Sequence, residues 1–244
     1  ISPTDIDLIS EGSIVRRKFL DRTISQSDKK YLNNLVTYHR ILQQRNALLK
    51  HFSSTNSFDK DTLSTYDEKL VQFGNPIHEA RKKFIKTFHP LFHNRYQFIS
   101  GNHEPVTVSY ESKLDEHSFE TLLEESFQKD RMLQYTSVGP HKDDLRFRIN
   151  DFPIKKFGSQ GQQKSFLIAL KLAQFDFIKK IAEVNPIVLL DDIFDKLDQN
   201  RVTQTIKLFE NETIGQIFIS DTHEDRLKNA LTASSSKYEI FNLN

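Results

Sequence analysis

The chain has no cysteine, which removes disulfides and thiolate metal sites together and fits a reducing compartment such as the cytoplasm. Glycine is scarce, with 7 among 244 residues, while phenylalanine is common at 20. No apolar stretch approaches the roughly 18 to 20 residues needed to cross a bilayer, and the opening residues lack the basic and apolar segments of a signal peptide. A soluble protein with no membrane partner is expected. There is no internal repeat and no low-complexity tract; the Ser-rich stretch from Ser53 to Ser57 has the length of a loop tip. Charge of one sign is lacking too: 34 Lys and Arg stand against 33 Asp and Glu. The whole-chain balance therefore says nothing about nucleic acid, and only local clusters can. The length suffices for one elaborated core with an insertion. The first nine residues, ISPTDIDLI, read as the middle of a fold, so a fragment of a longer protein is expected.

What is present begins with helical periodicity. Tyr31, Leu35, Tyr38, Leu42, Leu49 and Phe52 alternate steps of four and three, with only Arg45 out of pattern. After a polar loop, Leu63, Tyr66, Leu70, Phe73, Ile77, Ala80, Phe84 and Leu91 keep the same steps except at Thr87. Two such seams predict an antiparallel helical hairpin from about Asp28 to His93. Gly74-Asn75-Pro76 is expected to bend or break its second arm, because proline removes a backbone donor and clashes with the preceding turn. Between Arg95 and Asn150 the segments YQFIS, VTVSY and LRFRIN alternate apolar with polar residues, as half-buried strands do, with a helix over Ser118 to Met132 among them. Gln162 to Ile181 reads as a helix, and Gln199 to Glu210 as another. PIVLLDD and IGQIFIS are apolar runs on either side of the latter, which predicts neighbouring parallel strands covered on both faces. The fold class is α/β.

Ile187 to Asp192 has the form of a Walker B strand. A buried strand delivers its last residues to the carboxyl edge of the sheet, where α/β folds bind ligands. Asp191 would hold Mg²⁺ through water and Asp192 would orient or deprotonate the attacking water; a strand ending in a polar turn has the same look. Upstream, FGSQGQQK (Phe157 to Lys164) opens a helix, and Ser159 and Gly161 can offer a hydroxyl and bare amides to phosphate oxygens. An ordinary helix cap would use the same residues.

The order of these pieces, with TSVGPHKDDL (Thr136 to Leu145), FDKLD (Phe194 to Asp198), RRKFLD (Arg16 to Asp21) and LQQRNALLK (Leu42 to Lys50), resembles the RecF family of ABC-type ATPases over nearly the whole chain. The resemblance implies an ABC-ATPase-like sheet flanked by helices and carrying an inserted antiparallel helical hairpin. It divides the chain into an end of the N-terminal ATPase lobe (1–27), a hairpin lobe (28–93) and the C-terminal part of the ATPase domain (94–244). It makes Ser159, Gly161 and Gln162 the ABC signature that completes a second subunit's nucleotide site, Asp191 the magnesium-associated acid, Asp192 the catalytic base and Asp198 the close of the D-loop. Two departures stand out: ABC signatures usually have Gly where Gln160 stands, and Glu where Asp192 stands. FISDTH offers Asp221, Thr222 and His223 as the switch without a clean match. His141, Asp143 and Asp144 are characteristic of the family, and their chemistry is not legible.

No G-x-x-x-x-G-K-[ST] loop occurs, although its amides and lysine would hold the nucleotide phosphates. The resemblance places that loop upstream of Ile1, so ATP and Mg²⁺ are expected as cofactors only with the upstream segment, and the isolated chain is expected to be inactive. It also implies DNA (duplex or gapped), an ATP-dependent homodimer, RecO- and RecR-type mediators, recombinational repair and the SOS response. Locally, Glu11 to Lys50 holds nine basic residues against three acids. Arg16, Arg17, Lys18, Arg40 and Arg45 are the candidates for phosphate contact; a solvated helix face would carry similar charges. Two other classes compete: a metal-dependent phosphohydrolase built on Asp191, Asp192, Asp143 and His141, and a docking module without catalysis.

Overall fold

The computed structural model describes residues 1–101, 104–182, 187–195, 197–210, 216–222, 228 and 238–241, with the side chains of 182, 209 and 210 left aside. The chain divides into two compact units, one of residues 1–10, 90–107 and 147–244, the other of residues 11–89 and 108–146.

The second unit is mainly helical, with α1 (Ser13–Ser25), α2 (Lys29–Thr55), the first thirty residues of α3 (Lys60–Ser100) and α4 (Phe119–Leu133). Local chemistry fixes the helix ends. Asp28 accepts the Tyr31 amide at 2.8 Å, Asp59 accepts the amides of Asp61 and Thr62, and Ser118 accepts that of Thr121, each satisfying donors that a helix start leaves open. Asn56 and Gln134 close α2 and α4 in the left-handed conformation. Along α2 and α3 the contacts run in opposite directions at heptad spacing. Tyr31 meets Arg81, the Tyr38 ring lies against Gly74, and Arg45 meets Asp67, so each step of seven along one arm is a step of seven back along the other. The hairpin is therefore antiparallel.

Two expectations fail on α3. Gly74-Asn75-Pro76 lies inside one continuous 41-residue helix. Gly74 is held by close packing, since a Cβ there would come within 2.6 Å of the Phe119 ring, and tertiary contact outweighs the local cost of proline. The YQFIS segment is the end of the same helix, not a strand. Phe84, Phe88, Phe92 and Tyr96 are buried at steps of four with Ile99 following, a helical period that the short alternating run concealed.

In the first unit, α5 (Gln160–Ala182) packs its apolar face inward. Phe166 is fully buried, with ring centroids 4.5 Å from Phe92, 5.4 Å from Phe147 and 5.9 Å from Tyr96. Strands β1 (Val106–Glu111) and β2 (Asp144–Ile149), each with residues in both ranges, and β3 (Phe152–Pro153) form a sheet in that order. Asn150 and Asp151, both at positive φ, make the two-residue turn that joins β2 to β3. A second sheet pairs β4 (Val188–Asp191) with β5 (Ile217–Ser220) in parallel, Leu189 opposite Phe218 and Asp191 opposite Ser220. The helix α6 (Gln199–Glu210) connects them, as the two apolar runs required. On the other edge of β4, the Ile1 amine donates to the Leu189 carbonyl and the Asp191 amide to the Ile1 carbonyl. Among the described residues the expected cover on both faces is not found: Leu189 is 60% exposed and Phe218 53%, while Val188 and Leu190 are buried. The fold is α/β with a helical hairpin lobe.

Candidate functional site

The end of β4 and the start of α5 are held together by side chains. Asp191 leaves the strand exposed and accepts the Ser220 hydroxyl at 2.5 Å. Asp192 follows with φ of 45°, the left-handed region that few residues other than glycine adopt. Its amide donates to the Ser220 carbonyl, and its carbonyl accepts the Lys164 ammonium at 3.0 Å. One oxygen of its carboxylate, Oδ1, is buried without a hydrogen-bond partner among the described residues. A buried polar atom left open in this way is costly, and it suits a group that meets a ligand or water.

Ser159 and Gln162 form a reciprocal capping box at the start of α5. The Gln162 amide donates to Ser159 Oγ at 3.2 Å, and the Ser159 amide to Gln162 Oε1 at 2.8 Å. Gly161 lies in the same turn. The helix-cap reading of FGSQGQQK thus describes its resting geometry, and Ser159 remains exposed. Asp198 caps α6 in the same way, accepting the Arg201 amide at 2.9 Å. Glu104 stands between the two turns and accepts from Gln162 Nε2 at 2.9 Å and from the Arg201 guanidinium at 2.8 Å. Asp221 and Thr222 follow β5, and His223 lies outside the described residues.

No family model matches the chain. A protein of Flavobacterium johnsoniae named DNA replication and repair protein RecF is 56% identical over 243 residues, covering all of this chain and 68% of its own length. The chain belongs to the RecF family. A protein of the same name from Phocaeicola vulgatus is 46% identical over 242 residues, of which the chain spans 64%. Among solved structures, that of the recombination mediator protein RecF-ATPrS in the RecFOR pathway superposes with a TM-score of 0.80 at 30% identity, over 92% of this chain and 62% of that one. The chain thus spans about two thirds of the RecF proteins it matches.

The RecF-family segments in the second unit converge on buried charge. Arg81 is 1% exposed and donates to Asp21 at 2.8 Å, to the Tyr31 hydroxyl and to the Pro140 carbonyl. Burial opposes its charge, yet Tyr31, Asp21 and Tyr110 outweigh that and hold its pKa well above the ordinary value. Arg45 is fully buried, donating to Asp67, to Asp130 at 2.7 Å and to Thr136 at 2.9 Å. The expectation that Arg45 offers its charge to DNA is therefore corrected: the one polar break in the apolar seam of α2 is a buried ion pair. Arg16 forms a two-pronged pair with Asp144 at 2.8 and 2.9 Å, and Arg17 donates to the Asp143 carbonyl at 2.6 Å. Both are structural contacts before they are anything else. Lys18 and Arg40 are exposed, as are Arg22, Lys29, Lys30, Lys50, Lys83 and Lys86.

His141, opaque in the sequence, bonds the Tyr38 hydroxyl through Nδ1 at 2.8 Å and faces the Thr136 carbonyl through Nε2 at 3.0 Å. Burial holds its pKa down to about 3. Asp143 is buried against the Tyr110 hydroxyl, and burial raises its carboxyl above the usual range. With both imidazole nitrogens engaged, His141 is a poor metal ligand, and no group of three or more His, Asp or Glu side chains is arranged for a metal among the described residues. The donor set does not favour the phosphohydrolase alternative. Gly139 completes this hub: at φ of 114° a Cβ would come within 2.5 Å of Phe119 and 2.7 Å of the Tyr38 hydroxyl. Glu104, Lys164, Arg201 and Ser220 are site residues that motif reading passed over. Of these Lys164 and Ser220 carried a signal, as the last residue of FGSQGQQK and the third of FISDTH.

Proposed function

We propose that the chain is the signature- and Walker-B-bearing part of an ATP-dependent DNA-binding protein of recombinational repair, working as an ATP-closed homodimer with RecO- and RecR-type partners. The observation that carries this reading is the unmatched buried Oδ1 of Asp192, on a left-handed backbone at the carboxyl edge of a parallel sheet and tied by Lys164 to the Ser159 turn. Asp192 acts as the base toward water, and Ser159, Gly161 and Gln162 meet the γ-phosphate held by the partner subunit. Asp191 is the residue that would hold Mg²⁺, which when bound would supply charge neutralisation to the phosphate. The relatives' name, DNA replication and repair protein, supports the cellular role, and exposed Lys18 and Arg40 are the leading phosphate contacts.

The test uses the full-length protein carrying a phosphate-binding loop. Ser159→Arg is expected to leave ATP binding within about twofold while abolishing dimerisation and hydrolysis, since the loop supplies most ground-state contacts. Mixing it with a loop mutant restores one composite site per heterodimer. Normal hydrolysis by Ser159→Arg, or an inactive mixture in which heterodimers demonstrably form, returns the Ser159 turn to a plain helix cap.

A further inference from the structure

The carboxylate of Glu104 is half-buried and fully committed. Oε2 accepts the Tyr96 hydroxyl at 2.5 Å, and Oε1 accepts both Gln162 Nε2 at 2.9 Å and the Arg201 guanidinium at 2.8 Å. Its backbone carbonyl accepts Gln97 Nε2 at 3.0 Å, so the residue is anchored on α3 from two sides. Burial alone would raise its pKa, but the bonds from Tyr96 and Gln162 and the charge of Arg201 prevail and hold it below the usual carboxylate range.

Two of these partners are committed onward. The Gln162 side-chain oxygen is fixed by the Ser159 amide, leaving its amide nitrogen for Glu104. Arg201 reaches the buried Ser165 hydroxyl at 2.9 Å and the Asp198 carboxylate at 3.2 Å. A continuous polar chain therefore runs from Ser159 through Gln162, Glu104 and Arg201 to Asp198. Neither turn fixes the other through its own backbone, because the two helices begin 39 positions apart in sequence.

We infer that Glu104 is a positioning residue that locks the Ser159 turn and the Asp198 turn into one rigid surface, so that both meet a partner subunit's nucleotide together. The inference rests on the proposed function for its purpose but on this chain's geometry for the lock. A negative charge is needed because one oxygen serves two donors, one of them cationic; a neutral amide in the same shape accepts less strongly and brings a donor of its own.

Glu104→Gln tests it with two readouts. In this chain, amide hydrogen exchange is expected to quicken about tenfold at Gln162 and Gln163 and at Arg201 and Val202 together, while the core of α5 stays protected. In the full-length protein, ATP affinity is expected to stay within about twofold while ATP-driven dimerisation and kcat each fall about tenfold. The double variant Glu104→Gln, Arg201→Gln is expected to lose no more than the worse single variant, as members of one network do. Exchange that quickens at one turn alone, or at neither, overturns the lock. So does a loss of kcat that merely tracks a fall in Tm and in ATP affinity, which marks general destabilisation. If the lock loosens as expected but Ser159→Arg leaves hydrolysis normal, the proposed function fails while the coupling of the two turns stands.

Discussion

In the unit of residues 11–89 and 108–146, the guanidinium groups of Arg45 and Arg81 are buried and surrounded by Asp21, Asp67, Asp130, Tyr31, Thr136 and the Pro140 carbonyl, with Arg45 Nη2 the one nitrogen lacking a partner. In the unit of residues 1–10, 90–107 and 147–244, Arg95 and Asp176 also pair helix to helix, but the motif acids stand at the ends of elements: Asp191 and Asp192 close a strand, Asp198 opens a helix, and one Asp192 oxygen is unmatched among the described residues. The first arrangement uses ions to specify how helices meet. The second leaves ions where a ligand can reach them. Motifs of one family, equally characteristic in sequence, thus serve shape in one unit and, on the function proposed above, chemistry in the other.

The sharpest way to break that contrast is Arg81→Met. Removing one member of a buried ion network strands Asp21, so unfolding free energy in denaturant is expected to fall by about 3–5 kcal/mol. A loss under about 1 kcal/mol would mean that the network is incidental to shape.

The next effect is on pH. His141 is held neutral when folded, its pKa lowered to about 3, whereas an unfolded histidine titrates near 6.5. Between those values the unfolded chain binds the extra proton, so stability is full above about 6.5 and falls with acidification toward 3, by up to about 1.4 kcal/mol per pH unit. Unfolding curves across that window check it. His141→Gln is expected to be flatter there, although less stable at neutral pH.

The smallest effect on stability belongs to the exposed cations. Lys18→Ala with Arg40→Ala is expected to move unfolding free energy by less than about 0.5 kcal/mol. In the full-length protein the same pair is expected to weaken DNA binding and lower the salt slope of log Kd by about two. An unchanged slope would remove both residues from the DNA contact.

The contrast also explains what could be read without coordinates. The α2 seam, the hairpin, the parallel pair β4 and β5 and the joining helix are legible because each rests on a local pattern, heptad steps for the hairpin and apolar runs for the strands. Arg45 was visible only as a fault in the seam. Its partners Asp67 and Asp130 lie 22 and 85 positions away, and one sequence does not display such pairings. YQFIS read as a strand because five alternating residues fit either period, and only burial at Phe92, Tyr96 and Ile99 separates them. In the candidate site, Ser159, Asp191 and Asp192 were marked by motif, whereas Glu104 sits in no motif and acts through distant donors.

Asp192 pays a conformational toll as well as a desolvation one. Its left-handed backbone suits glycine better by roughly 1 kcal/mol, and glycine would also delete the carboxylate whose Oδ1 is unmatched among the described residues. Left to thermodynamic drift, this position would lose its acid and the protein would become sturdier. An aspartate here therefore works as a selection mark: it persists in a lineage only while what the carboxylate does is worth more than the stability it forfeits.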